Sequence, residues 1–300
     1  MHVSIAVAQN DPHAQRLLAA QARMYSQAKT MQHARFLVVC VLAAGTVTAA
    51  LLASDVRSVI GLVGGVITFV WSQLGGTREK RVVKDAAAVQ EQFDTYVFEL
   101  PWNDLGPVDR VDPTRIAIAA AKYRGNRTVD WYPATGAVAR PLDVLICQRS
   151  NLGWGAVVHR MYAALLIATL ILLVGAGIGV ALAAGLSAAE WLAAVAVPLL
   201  APAREILDLV RANRDSEDTK RKAESKIAAL WRGAITRQAA VTVQDCRVVQ
   251  DRLVAIRLSN AHVPDWLDQW WRSRNELAMR DTADSLIAEA TKAGLVSPGA

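Results

Sequence analysis

The sequence predicts an all-α membrane protein whose four transmembrane helices form two hairpins, and three observations support this prediction. Hydrophobic residues make up 53% of the 300 positions and charged residues only 20%, with a mean hydropathy of +0.23. The apolar residues are concentrated in long uncharged runs. Basic residues are concentrated between those runs, as is typical of the cytoplasmic segments of membrane proteins. This composition excludes disordered and collagen-like chains.

The first predicted hairpin occupies residues 36–74. Its two spans, residues 36–53 and 58–74, are 18 and 17 residues long and contain no charged side chain. Both therefore approach the length of about 20 residues that a helix needs to cross the hydrocarbon layer. Only residues 54–57 connect the two spans, which predicts that the chain crosses the bilayer and returns.

The second predicted hairpin occupies residues 161–203. Its first span, residues 161–186, contains 26 consecutive uncharged residues. The second, residues 191–203, is only 13 residues long and contains Pro198 and Pro202. We assign it as a span because an unpaired third span would place the C-terminal region on the opposite side of the membrane from the rest. Residues 187–190 form the short connection.

The distribution of basic residues predicts the orientation of both hairpins. Residues 1–35 hold 4 of the 33 Lys and Arg residues, residues 75–160 hold 12 and residues 204–300 hold 16, whereas the two short turns hold only Arg57. Positive residues remain on the cytoplasmic side. We therefore expect a cytoplasmic N-terminal helix at 1–35 and cytoplasmic helical regions at 75–160 and 204–300. About 35 largely polar residues precede the first span, so we expect no cleavable signal peptide.

Glycine pairs in two spans predict where helices pack closely. Gly61 and Gly65 lie in the second span, and Gly175 and Gly179 lie in the third, each pair with GxxxG spacing. Small residues at this spacing allow two helix backbones to approach each other. No Asp, Glu, Lys or Arg lies deep in any span, which argues against a pump or a secondary transporter.

The cytoplasmic segments also have helical patterns. A continuous helix is predicted from Pro12 through the first span. Apolar residues between 82 and 100 repeat every three or four positions until Pro101 ends the pattern. Further helices are predicted over 113–123, over 211–235, around 249–256 and over 265–293, and no segment alternates long enough to predict a β-sheet.

The sequence contains no recognisable catalytic or metal-binding motif. The five histidines form no i,i+4 pair, and the three cysteines lie far apart without a CxxC pair. There is no P-loop, GxSxG elbow or kinase signature. We therefore expect a protein that is not an enzyme and that requires no metal or cofactor.

Tryptophan and arginine are the informative residues of the cytoplasmic segments. There are nine Trp residues, and the 25 arginines outnumber the 8 lysines. Many lie in short polar and aromatic clusters, and the candidate ligand-binding residues are Trp102, Asn103, Arg124, Arg127, Trp131, Tyr132, Gln148, Arg149, Asn151, Trp154, Asp265 and Trp266. Each Trp has an ordinary interpretation as a packing residue near a proline turn. The alternative is an anionic aromatic ligand, because arginine binds phosphate bidentately and aromatic rings stack on bases.

The order of these clusters resembles a known family. Leu-Pro-Trp-Asn at 100–103, Asp-Trp-Tyr at 130–132 and Cys-Gln-Arg-x-Asn-x-x-Trp at 147–154 precede the third span, and Pro-Asp-Trp at 264–266 follows the fourth. This layout is similar to that of the SMODS-associating four-transmembrane effectors of CBASS, a bacterial anti-phage system that signals through cyclic oligonucleotides.

The resemblance implies a function. A partner nucleotidyltransferase would make a cyclic di- or trinucleotide, which would bind the cytoplasmic part, with the region 75–160 as the sensor. The effector would form a homo-oligomer and disrupt or permeabilise the bacterial inner membrane, which stops growth or aborts the infection. No nucleic acid polymer is expected as a partner. The alternative function is a membrane-tethered helical scaffold that docks a partner protein and forms no pore.

Overall fold

The computed structural model describes residues 3–74, 76–153 and 156–297, and it confirms the predicted all-α fold. The described residues contain no β-strand, only one isolated bridge between Val138 and Val296. A 3-10 turn at Ser54–Val56 and a π-helical turn at Leu192–Ala196 interrupt the helices. The helices are α1 (Ile5–Ala8), α2 (Pro12–Leu52), α3 (Arg57–Leu74), α4 (Gly76–Phe98), α5 (Pro113–Ala121), α6 (Leu142–Gly153), α7 (Ala156–Ala183), α8 (Ala188–Trp191), α9 (Val197–Ile235), α10 (Val243–Ser259) and α11 (Asp265–Lys292).

The chain divides into two units. Unit 1 comprises residues 1–26, 82–159 and 215–300, and unit 2 comprises residues 27–81 and 160–214. Unit 2 contains all four predicted spans. Among the described residues, three helical stretches are long and apolar enough to cross a membrane, and they lie within Pro12–Leu52, Arg57–Phe98 and Leu142–Ala183.

The fourth predicted span, residues 191–203, is helical but irregular. It begins in α8, passes through the π-helical turn and enters α9. Pro198 follows the π-helical turn closely and has no backbone N–H to donate to the carbonyl four residues earlier, so a regular α-helix is interrupted here, whereas Pro202 lies inside α9. A π-helical turn is a common local adjustment of this kind.

The two glycine pairs of unit 2 have different surroundings. A Cβ added to Gly61 would overlap the backbone of Ala193, and one added to Gly65 would lie 2.7 Å from Val197 Cγ1. The predicted close approach therefore occurs between α3 and the irregular fourth span. A Cβ added to Gly175 or Gly179 would meet no described atom within 4 Å, so this pair makes no such contact within the described chain.

Ionic contacts tie the ends of the helices in unit 2. Arg57 Nη1 lies 3.4 Å from Glu190 Oε1, which joins the two short interspan turns. At the start of α8, Ser187 and Glu190 form a reciprocal capping box. At the other ends of the helices, Arg35 of α2 pairs with Glu79 of α4 at 3.7 Å and also with Glu205 of α9.

The described residues of unit 1 form two apolar cores that share helices α6 and α10. The first is formed by residues of α2, α4, α6 and α10, including Leu17, Phe93 and Val144. The second is formed by α6, α9, α10 and α11 and includes Leu145 and Ile227. Helix α6 is buried on both sides because adjacent residues of it enter different cores. No helix was predicted there, since a helix buried all round has no polar face to reveal its period.

The predicted helix boundaries are close but not identical to those of the structure. Helix α4 ends at Phe98, before the Pro101 that was predicted to end it. Glu99 adopts a left-handed conformation with φ of 54°, and the Leu100 N–H then donates to the Thr95 carbonyl at 3.0 Å. Helix α5 ends at Ala121 rather than at residue 123.

Candidate functional site

A buried group of charged and amide side chains lies between α4 and α10 in unit 1. We name it the ionic cluster, and its members are Glu91, Asp94, Arg247, Gln250 and Arg257. The two acids are three residues apart on α4, and the α10 residues are three and seven residues apart, so each set lies on one helix face. Asp94 and Gln250 are fully buried.

Two ion pairs cross the ionic cluster. Arg247 Nη2 lies 2.7 Å from Glu91 Oε1, and Arg257 Nη2 lies 2.6 Å from Asp94 Oδ2. The Gln250 amide lies between them and donates to both carboxylates, at 2.7 Å and 2.6 Å. Two carboxylates and two guanidinium groups balance in charge. Such pairing is what makes the burial of these charges possible.

Tyr132 and Asn151, two of the predicted ligand-binding residues, are hydrogen-bonded to this cluster. The Tyr132 hydroxyl donates to Asp94 Oδ1 at 2.6 Å and accepts from Asn151 Nδ2 at 2.6 Å. Its ring packs against Phe98, with the ring centroids 4.9 Å apart. Burial, together with the adjacent Asp94 carboxylate, raises the pKa of Tyr132 well above its ordinary value. Tyr132 is therefore a neutral hydrogen-bond donor inside unit 1.

Gln148 and Asn103, also predicted ligand-binding residues, contact the α10 side of the cluster. Gln148 is fully buried, and its amide donates to Gln250 Oε1 at 3.1 Å. Asn103 donates to Asp251 at 3.1 Å, and that carboxylate also accepts from Arg247 at 2.9 Å. The structure thus brings together four predicted residues that are as many as 48 positions apart in the sequence.

A second set of predicted residues lies on the surface, in residues 122–131, which we name the basic loop. It connects α5 with the segment that precedes α6, and it contains Arg124, Arg127 and Trp131. All three are exposed, Trp131 to 38%. The Arg124 guanidinium donates to the backbone carbonyls of Ala121 and Tyr123. The backbone N–H of Arg127 donates to the Tyr123 hydroxyl.

The end of the basic loop is fixed against the N-terminal segment. Asp130 and Asn10 exchange two hydrogen bonds of 2.9 Å. Two residues further on, the backbone N–H of Tyr132 donates to Gln9 at 2.6 Å, and the Gln9 amide donates back to the Tyr132 carbonyl at 3.2 Å. Trp131 lies between these two anchored residues. Its backbone is therefore fixed, although its ring is exposed.

The remaining predicted residues lie elsewhere. Trp102 is partly buried against the first core beneath Arg110, whose Cζ is 4.5 Å from the ring centroid. Arg149 pairs with Glu224 at 3.7 Å beside a space of about 40 Å³, which has room for about one water molecule. Asp265 and Trp266 are exposed at the start of α11, Trp266 to 57%. Trp154 lies outside the described residues.

A larger pocket opens where α4 ends and where α6 and α10 begin. Its volume is about 420 Å³, within the range of about 300–1,000 Å³ typical of small-molecule sites. It is lined by Phe98, Glu99, Leu100, Ala139, Arg140, Pro141, Val144, Val243 and Ser297. Leu100 belongs to the Leu-Pro-Trp-Asn motif, but the two charged residues of the pocket, Glu99 and Arg140, were not predicted.

Sequence reasoning also missed the ionic cluster. Its two acids lie beside the apolar residues of α4. Its α10 members lie beside Val249, Leu253 and Ile256, which are apolar residues of α10. A charged residue next to a buried helix face was therefore the only sequence feature that indicated the cluster. That signal is weak, because most charged residues at such positions lie on the surface. Among the described residues, no group of three or more His, Cys, Asp or Glu side chains is placed to hold a metal ion.

Comparison with known proteins identifies relatives of this chain. A family model described as the SMODS-associating 4TM effector domain matches residues 3–286. A protein of Bacillus cereus (strain VD146), described as a probable CBASS effector molecule, is 26% identical over 228 residues, which cover 73% of each chain. No solved structure matches the chain.

Proposed function

This chain belongs to the SMODS-associating 4TM effector family and is a membrane effector of anti-phage defence, and from this premise we propose that a cyclic oligonucleotide activates it. The ligand would be a cyclic di- or trinucleotide from a partner nucleotidyltransferase. It would bind unit 1 on the cytoplasmic side, with both termini on that side. Binding would promote assembly of several copies, which permeabilise the inner membrane. The family match over 3–286 is the observation that carries this proposal.

The basic loop has the side chains that such a ligand requires. Phosphates are bound by arginine, and bases stack on exposed aromatic rings. Arg124, Arg127 and Trp131 place both groups on one exposed segment whose end is anchored. Because the end of the loop is already fixed, the loop loses less conformational entropy when a ligand binds to it. We therefore assign these three residues as ligand contacts.

The buried predicted residues have a positioning role in this proposal. The ionic cluster is balanced in charge, so it offers no excess positive charge to a phosphate. Asp94 and Asn151 instead hold the Tyr132 hydroxyl, and Gln9 holds the Tyr132 backbone next to Trp131. Loss of the cluster would therefore remove one of the contacts that fix the end of the basic loop.

The polar side chains of the spans support assembly rather than a channel through one copy. The hydroxyls of Thr46, Thr68, Ser72 and Thr169 donate to carbonyls three or four residues earlier in their own helices. A path for ions needs polar groups that line it or a wide water-filled opening. Such side chains are few in the spans, so we propose a wide opening between copies, or disruption of the lipid itself, as the route.

Dye-filled liposomes that contain the purified protein test this proposal. Addition of one member of a panel of cyclic di- and trinucleotides should release the dye, and the matching linear nucleotides should not. Release should rise more steeply than in proportion to protein density, because several copies act together. Correctly inserted protein that releases no dye with any member of the panel would contradict the proposal and favour the scaffold function.

Variants of the basic loop test the assigned contacts. Trp131→Ala and the double variant Arg124→Ala/Arg127→Ala should each raise the half-maximal ligand concentration at least tenfold, about 1.4 kcal/mol. Arg221→Ala is the control, because that side chain is 67% exposed and pairs with Asp218 on α9. If the loop variants respond like the control, the basic loop does not contact the ligand.

A further inference from the structure

The pocket of about 420 Å³ in unit 1 combines apolar walls with a carboxylate and a guanidinium at one edge. Phe98, Leu100 and Val144 are almost completely buried and form walls of the pocket, and Val243 is 48% exposed at its rim. Apolar walls with a few convergent polar groups are the usual composition of a small-molecule site.

Arg140 is held in a fixed position at this edge. Its Nε and Nη2 lie 3.3 Å and 3.2 Å from Asp143 Oδ2, and its Nη1 lies 3.4 Å from the Phe98 carbonyl and 3.5 Å from Glu99 Oε1. The guanidinium is only 15% exposed. These contacts fix the orientation of the guanidinium, so its remaining N–H groups are also fixed in orientation. A guanidinium can donate hydrogen bonds but cannot accept them.

Glu99 has a backbone conformation that does not suit it. Its φ of 54° is left-handed, in the position after a helix end where glycine is usual. A side chain with a Cβ is strained there, and such strain is concentrated at functional sites. Glycine at this position would fold with less strain, so the carboxylate has a role other than ending the helix. A carboxylate can accept about four hydrogen bonds, which allows Glu99 to contact both Arg140 and a ligand.

We propose that this pocket binds one base of the cyclic oligonucleotide, an assignment that rests on the function proposed above. The Glu99 carboxylate accepts only and the Arg140 guanidinium donates only, so they fit a base edge that carries an N–H donor beside an acceptor. The edges of nucleobases have this alternation, and carboxylates and arginines are known partners of base edges. The apolar walls cover the faces of the ring.

A tryptophan at the rim tests whether the pocket is occupied. Val243→Trp would fill the pocket from its exposed rim, and Val248→Trp is a matched control, since Val248 lies on the same helix, is 53% exposed and does not line the pocket. Binding of a cyclic oligonucleotide to the full-length protein is measured by calorimetry, and dye release is measured on the same samples. We expect Val243→Trp to weaken binding at least tenfold and Val248→Trp to leave it unchanged.

Glu99→Gly separates recognition from folding. It removes the carboxylate and the backbone strain together, so we expect the unfolding temperature to rise while ligand affinity falls at least tenfold. If both pocket variants bind like the wild type, the pocket assignment is wrong although the proposed function stands. If the wild type binds a cyclic oligonucleotide without releasing dye, membrane permeabilisation is wrong and the pocket is judged from binding alone. If the wild type binds no member of the panel, both proposals are overturned.

Discussion

Removal of the Asp94 carboxylate should destabilise unit 1. This carboxylate is fully buried and accepts hydrogen bonds from Tyr132, Gln250 and Arg257, each at 2.6 Å. In Asp94→Ala the Arg257 guanidinium keeps only Glu91, at 3.8 Å, as a counter-ion within the described cluster. Breaking one partner of a buried ion pair costs about 3–5 kcal/mol because the other charge remains buried without compensation.

The two neutral donors add to this cost, but not in full. Each buried donor left without an acceptor costs about 1–3 kcal/mol, and losses within one hydrogen-bond network are not additive. We therefore expect a net destabilisation of about 4 kcal/mol. At roughly 2–4 °C per kcal/mol for a domain of this size, the unfolding temperature of unit 1 should fall by roughly 10 °C.

Thermal unfolding of the detergent-solubilised protein, followed by near-ultraviolet circular dichroism, measures this effect. Asp109→Ala is the control, because that side chain is 93% exposed and its contact with Lys84 is 3.4 Å long. A surface pair of this kind contributes at most about 1 kcal/mol. If Asp94→Ala lowered the unfolding temperature no more than Asp109→Ala, the ionic cluster would not hold unit 1 together.

Two other predictions concern packing and thiol reactivity. Gly61→Ala should lower the unfolding temperature of unit 2 by several degrees, because the new Cβ would overlap the backbone of Ala193. Gly175→Ala is the control and should not lower it, because a Cβ there meets no described atom within 4 Å. Equal unfolding temperatures for the two variants would contradict the observed packing. Cys147 and Cys246 are both buried, and burial raises the pKa of the Cys246 thiol to about 12. A protonated thiol is a poor nucleophile, so iodoacetamide at pH 8 should alkylate neither cysteine until the protein unfolds. Mass spectrometry of the treated native protein measures this, and modification of either cysteine would refute the prediction.

Local patterns in the sequence predicted most of the fold. Uncharged runs and i,i+4 spacing depend only on neighbouring residues, and they correctly predicted the helices that begin at Pro12, Pro113 and Asp265. The same reasoning failed for α6, because adjacent residues of that helix enter two different cores and no periodic polar face remains. The irregularity at Pro198 was visible in the sequence, but the π-helical turn that accommodates it was not.

The candidate site was predicted only in part, for a different reason. Tyr132, Gln148 and Asn151 were selected as aromatic and polar residues, yet their hydrogen bonds depend on Asp94 and Gln250, which are distant in the sequence. Such contacts exist only after the chain has folded. In the same way, the strain at Glu99 follows from where α4 ends, and no local motif indicates it.

The membrane potential of intact bacteria gives the most direct test of an effector that acts on the bilayer in response to a cyclic oligonucleotide. Cells would express this chain with a cyclic-oligonucleotide synthase in its active form or in an inactivated form, and a potential-sensitive dye would report on the inner membrane. Loss of the potential with the active synthase only, and its retention with Trp131→Ala, is the result that our proposal predicts. Potential that is retained with every active synthase, in cells shown to contain the inserted protein and the messenger, would contradict it.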